Sequence, residues 1–396
     1  MTQRIIQLCV FALLLFDLLG AADITEAFKS RHRALRQMPE NQKAFYPEPQ
    51  AIKSALVHPD YRQRILGKAT FTRPDMPNSY VTSDGHFRIH YTLEGNDAVD
   101  PLTTNPQAVP DYVFETGWTA ERSYRLIVDT LAFSPPPGDE GSNGPEIDIY
   151  IKNWGGRYYG MTYPEGEISA TPSQPYDYYS YMVIDNDYLE EAYYTQGFDA
   201  LHVTVAHEFF HMVQLGYNWF ESNGLPGVSA ASGDRYFLEW SSVWMEERAF
   251  PQVNDYYDYL GYFFYGPEES IWSSHYWYTL GIFLRLLTDR YGEQILREIW
   301  EGIKSDFAMD ALQETVAEYG ANLPQLWNEF LRRCYYTGSR YDPALSLSTD
   351  AVDFPLLHFS SPSTILFNQD YTFEWDAQPM ANNMFLVVPQ ADYFIG

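Results

Sequence analysis

Apolar and polar residues alternate with period two in three stretches of the chain. In HFRIHYTL (86–93) Phe87, Ile89 and Tyr91 share one face; EIDIYI (146–151) and SYMVIDND (180–187) are further runs of this kind, and all three predict strands. Elsewhere the spacing is helical. Residues 110–131 carry Val113, Trp118, Tyr124 and Leu126, and Phe198 to Leu215 is apolar at helical intervals, with Asp199 suited to cap its start and Gly216 to end it. Further helices are predicted over 235–248, 276–291, 293–303, 309–319 and 323–336. A Tyr/Gly/Pro-rich stretch, 155–180, and a Gly/Ser-rich stretch, 217–234, read as loops. After Pro343 the pattern returns to short strands, over 360–367, 371–375 and 384–388. No internal repeat or heptad run occurs. The expected fold class is α+β.

The first 22 residues stand apart from this pattern. Arg4 precedes an apolar stretch, Ile5 to Leu19, broken by Gln7 and Asp17 and followed by Gly20-Ala21-Ala22. The stretch is too short and too broken for a stable membrane span, and small residues follow it, so a signal peptide and a secreted or periplasmic location are expected. Cleavage would remove Cys9 and leave Cys334 as the one cysteine, so the mature chain could form no internal disulfide.

Charge divides the remainder. Residues 23–79 hold ten Lys and Arg against six Asp and Glu, whereas 80–396 hold 14 against 46, with Lys152 and Lys304 the only lysines. The expected organisation is a signal peptide (1–22), a basic segment with helices over 24–38 and 50–67 (23–79), a main domain (80–345) and a short C-terminal β segment (346–396). The Pro-rich run from Arg73 to Asn78 reads as a linker, and the basic segment either as a pro-segment or as a permanent subdomain. A formal charge of −28 argues against nucleic acid as a partner, because phosphate would be repelled. The 45% hydrophobic and 20% charged residues are those of a folded chain.

Chemistry concentrates in the helix predicted from Phe198. His207-Glu208-Phe209-Phe210-His211 puts two histidines at i and i+4, about 40° apart around the axis, where both imidazoles can reach one tetrahedral Zn²⁺. Glu208 then projects beside them toward a water, as general base. The plainer reading is two histidines hydrogen-bonded in a core, with Phe209 and Phe210 as packing. His202 and His275 lack ligand spacing. Asp185-Asn186-Asp187 has oxygen donors for Ca²⁺ but no recognisable loop pattern, and the tyrosines from Tyr158 to Tyr194 either pack the loop or line a cleft. With Gln214 and Tyr217 where a further Gly and His would be needed, a metzincin is excluded. The stretch FLEWSSVWMEE offers Glu239, Glu246 and Glu247 as a third ligand. Glu239 sits in the first turn between Leu238 and Trp240 and is expected to point inward, with Glu246 its main rival.

HEFFH, a following Glu-bearing helix and Tyr278-Thr279-Leu280-Gly281 together resemble the gluzincin zinc metallopeptidases. HFRIHYT (86–92), VTVAHEFFH (203–211), WMEE (244–247) and YYTGSRYDP (335–343) are similar to a group of secreted bacterial proteins regarded as metallopeptidases, over roughly residues 80–360. The resemblance implies a zincin fold: a twisted sheet whose edge strand overhangs the cleft, an active-site helix, then a helical subdomain. It also implies one Zn²⁺ per chain on His207, His211 and Glu239, a protein or peptide substrate, and Tyr278 as oxyanion donor, with His275 and Tyr276 as neighbouring alternatives. The chain departs from the usual Glu-Gly-x-Ala by carrying Trp240 after Glu239.

Overall fold

A computed structural model describes residues 72–139, 144–167, 177–223, 234–269, 271, 273, 276–358, 361–365 and 385–389. The expected signal peptide, the helices over 24–38 and 50–67, the strand over 371–375 and His275 lie outside the described residues. The fold is mixed α+β. Five strands form one sheet in the order β1-β2-β3-β5-β4: β1 (Asn78–Val81), β2 (Phe87–Tyr91), β3 (Ile147–Ile151), β4 (Gly160–Glu167) and β5 (Tyr178–Ile184). The three central strands run parallel, and β1 and β4 pair antiparallel at the two edges.

The alternation seen in the sequence sorts the faces of this sheet. Phe87 and Ile89 of β2, Ile149 and Ile151 of β3, and Met182 and Ile184 of β5 are fully buried in the main core. Each such side chain contributes about 1.5–3 kcal/mol of burial. Their neighbours Tyr150, Tyr181 and Val183 lie on the other face and are buried too, in a cluster that Met76 and Tyr163 pack against. Arg73, which the sequence places in a linker, is held there by ion pairs to Asp139, Asp148 and Glu165. The Pro-rich run is thus seated on the sheet, because its arginine meets three carboxylates.

Eight α-helices occur among the described residues. The connection from β2 to β3 contains α1 (Asp111–Tyr124), which continues as a π-helical segment, Arg125–Thr130. The long helix α2 (Gly197–Asn223) carries the HEFFH sequence and packs on α1, β4 and β5. It passes Gly216, where the sequence predicts its end, and breaks instead at Asn218 (φ −166°, ψ 99°). The break is held by the Asn218 amide, which donates to the carbonyl of Ile303 at 2.8 Å. Next come α3 (Arg235–Ala249), α4 (Tyr257–Tyr265), α5 (Gly281–Tyr291), α6 (Gln294–Ile303), α7 (Ala308–Glu318) and α8 (Leu323–Tyr335). Of these, α3 packs against both α2 and α5. Residues 346–358 run back over the helices, with Ala351, Phe354 and Leu357 in the core. Two further strands, β6 (Ser361–Ile365) and β7 (Phe385–Pro389), pair parallel with each other.

The elements that the sequence pattern does not predict include β1, β4 and α4. The stretch predicted as a long loop contains β4, hidden because Gly160, Pro164 and Gly166 dilute its alternation and a bulge shifts its register between Pro164 and Gly166. The α4 helix, YDYLGYFFY, was masked by its aromatic residues, which have weak helix propensity; tertiary packing of Tyr259, Leu260, Phe263 and Phe264 overrides it.

Candidate metal centre

The helical repeat of α2 places His207 and His211 one above the other, their ring centroids 4.6 Å apart. Opposite them stands α3. Its first turn puts Glu239 Oε2 at 3.2 Å from His207 Nε2 and 3.4 Å from His211 Nε2. One atom from each of these three residues lies within 4.8 Å of the others. His207 and Glu239 are linked by a hydrogen bond, whereas His211 Nε2 and Glu239 Oε1 make none, although both are buried. Buried nitrogen and oxygen atoms without a hydrogen-bond partner are costly in a protein interior. Two imidazoles and a carboxylate are also the donor types zinc takes at three-ligand sites. The residues therefore fit a divalent cation.

Glu246, the rival third ligand, sits one step outward. Its Oε1 lies 2.6 Å from His207 Nδ1, so it holds the back of the first histidine while Nε2 faces Glu239. The back of the second histidine is held by Gln214, whose Oε1 lies 2.7 Å from His211 Nδ1. Glu247 turns away and lines a separate cleft with Arg248 and Arg285.

Glu208 is fully buried beside the two histidines. Thr162 of β4 reaches its Oε2 at 2.7 Å and its backbone carbonyl at 3.0 Å, while Oε1 has no hydrogen-bond partner. The edge strand comes this close only because residue 160 is glycine. A Cβ there would stand 2.8 Å from both Glu208 Cγ and Thr204 Cγ2.

Burial and charge set the protonation of the metal-free cluster. Burial pushes the Glu208 carboxyl up to about 8, against the pull of His207 and the Thr162 hydrogen bond. Burial works against a charged His207, but Glu239 and Glu246 override it and raise the imidazole to about 9. Burial lowers His211, against the attraction of Glu239. Glu239 is held at about 2, because His211 and His207 outweigh the burial that would raise it.

Of the aromatic candidates, Tyr278 lies in the turn before α5, its ring centroid 6.3 Å from that of His207. Gly281 lets this turn close on α3, since a Cβ there would meet the Trp240 carbonyl at 3.0 Å. Tyr276 is engaged elsewhere: its hydroxyl donates to the Gly266 carbonyl and accepts from the Glu269 amide. Trp240, the departure in the third-ligand segment, is buried away from the donors, with its indole N–H on the Tyr276 carbonyl at 3.1 Å. Phe209 and Phe210 are core residues, edge-on to Phe87 and Phe133.

The remaining candidates do not join the cluster. His202 pairs with Glu115 at 2.6 Å and stacks on Phe250. Asp185, Asp187 and Glu190 bring oxygens within 4.8 Å of one another. Asp185, however, already accepts from the backbone amides of Trp154, Asp187 and Tyr188 and from the Tyr193 hydroxyl. Its carboxylate organises that loop. Tyr159, Tyr188 and Tyr193 pack against one another there, which accounts for part of the tyrosine cluster.

Gly160, Thr162, Gln214 and the orienting role of Glu246 have no signal in the sequence pattern beyond their residue types. Compared with curated proteins, the chain has no significant match. A profile described as a family of unknown function, DUF6055, matches residues 93–332, more than half of the chain and all of this cluster, and the protein belongs to that family.

Proposed function

We propose that this protein is a secreted, zinc-dependent peptidase of gluzincin type on a zincin-like scaffold. One observation carries the reading: three buried donors, His207, His211 and Glu239, converge beside a carboxylate with one oxygen held by Thr162 and the other unpartnered. The antiparallel edge strand β4 against α2, with the third carboxylate on the next helix, supports the scaffold assignment. The N-terminal 22 residues support secretion, and no helix among the described residues is long and apolar enough to cross a membrane.

His207, His211 and Glu239 would hold one Zn²⁺, with Glu246 and Gln214 fixing the two rings from behind. Bound there, zinc would supply Lewis acidity and lower the pKa of a water toward ~7. Glu208 accepts a proton at Oε1 while Thr162 keeps Oε2 in place, and returns that proton to the leaving amine. Tyr278, beside His207, is the group assigned to the oxyanion that develops as the peptide carbonyl is attacked. Gly160 keeps the edge strand from crowding the base. The substrate is a protein or peptide, and the same groups would serve a non-peptide amide or ester.

A second reading draws on burial. His207, Glu208, His211 and Glu239 are each at most 1% exposed, which also suits a metal acting as a structural tie in a non-catalytic extracellular binding protein. Glu208→Gln separates the two. For a peptidase, the variant keeps one zinc per chain and loses about 10²–10⁴-fold of its turnover on a mixed peptide library. Full retention of turnover in the variant, or a zinc-loaded wild type that cleaves nothing, removes the peptidase reading.

A further inference from the structure

We propose that Gln214 is a positioning residue that dictates the tautomer of His211 and ties the two ligand-bearing helices together; this rests on the metal-centre reading above. Gln214 is 1% exposed, one turn beyond His211 on α2. Its amide nitrogen reaches the Leu238 carbonyl, Ser241 Oγ and Ser242 Oγ of α3, each at 3.1 Å. Its amide oxygen is 2.7 Å from His211 Nδ1.

Directionality forces the remainder of the chain of bonds. A backbone carbonyl can only accept, so the Gln214 nitrogen must face Leu238 and its oxygen must face His211. The neutral imidazole must then carry its hydrogen on Nδ1 to donate to that oxygen. The lone pair is left on Nε2, the atom that has no hydrogen-bond partner and faces Glu239. Leu238 immediately precedes Glu239, so one turn of α3 both supplies the third ligand and, through Gln214, sets the second. The Ser242 hydroxyl, 3.2 Å from His211 Nδ1, completes the pocket. His207 has a different partner, the carboxylate of Glu246, so the two rings are fixed by independent devices.

The test compares wild type, Gln214→Leu and Gln214→Glu as full-length secreted protein. Zinc Kd is measured by competition with a chromophoric chelator. Two-bond ¹H–¹⁵N correlation of the metal-free proteins reads the His211 tautomer, and thermal unfolding of the metal-free proteins controls for the fold. Gln214→Leu weakens zinc binding about 10–100-fold and lets His211 populate both tautomers. Gln214→Glu keeps the acceptor for Nδ1–H, so the tautomer is unchanged, but sets its second oxygen against the Leu238 carbonyl, so the metal-free unfolding midpoint falls as the tie to α3 is lost. Where the leucine variant fails to fold, the glutamate variant decides: a tautomer change in it overturns the proposal. A folded leucine variant with wild-type Kd and tautomer overturns it as well. Peptide hydrolysis by wild type is scored separately. Zinc binding that depends on Gln214 without hydrolysis removes the peptidase reading and keeps the positioning role; hydrolysis with Gln214-independent zinc binding does the reverse.

Discussion

Two clusters of buried charge lie on opposite sides of the sheet, and they are solved differently. On the outer face, Arg73 meets Asp139, Asp148 and Glu165, and Asp148 also takes His90 Nε2 at 2.6 Å. Arg73 supplies the cation, and burial of its neighbours leaves a network closed by protein groups. On the inner face, His207, His211, Glu239 and Glu208 gather with no lysine or arginine among them, and three of their atoms lack partners. A closed network needs nothing from outside. An open one of the same size is costly unless a cation completes it, and this contrast marks the inner cluster as the one that could hold a metal.

The largest expected effect breaks the contrast from the inner side. Removing metal with a chelator abolishes peptide hydrolysis and lowers stability by about 4 kcal/mol relative to protein in zinc at 1,000-fold its Kd, read by thermal unfolding. An equal unfolding midpoint with and without chelator would show that the inner cluster is closed without metal. From the outer side, Arg73→Met leaves three carboxylates without their cation and costs about 3 kcal/mol, with zinc stoichiometry unchanged. Loss of zinc in that variant would mean that the two clusters are coupled through the sheet.

The pH dependence of metal-free protein sharpens the comparison. His207 is raised to about 9 by Glu239 and Glu246 despite its burial, so its ion pairs are fully formed below about 6.5. That stabilisation is lost as pH rises through about 9, whereas metal binding requires the neutral ring. The difference in unfolding midpoint between zinc-loaded and metal-free protein therefore widens from pH 6.5 to 9; a constant difference would refute this. The smallest effect concerns Thr162, which orients Glu208 without touching a ligand. Thr162→Val lowers kcat about tenfold, the equivalent of one hydrogen bond, at unchanged zinc affinity, and Thr162→Ser restores it.

Much of this was legible in the chain. The strands β2, β3 and β5, helices α3 and α6 to α8 and the start of α2 appear within a few residues of their predicted places, because each buries one face and so writes its period into the sequence. The edge strand β4 did not, since an edge with a bulge carries glycine and proline where a central strand carries apolar residues. Tyr278 lies in the turn before α5 although the sequence predicts a helix from residue 276, because the aromatic run from Tyr276 resembles a helical face until Gly281 begins the regular turns.

Local geometry alone made His207 and His211 neighbours: four residues on a helix are always one turn apart, whatever surrounds them. The choice between Glu239 and Glu246 was different. Both are buried on one helix, and only the packing of α3 on α2 puts Glu239 at the front of the histidines and Glu246 behind His207. Thr162 reaches Glu208 across 46 residues and Arg73 reaches Glu165 across 92. Such pairs follow from how separate elements dock, and docking leaves no periodic mark in the order of residues. The repeat of the helix thus created the candidate site, and tertiary contact assigned its parts.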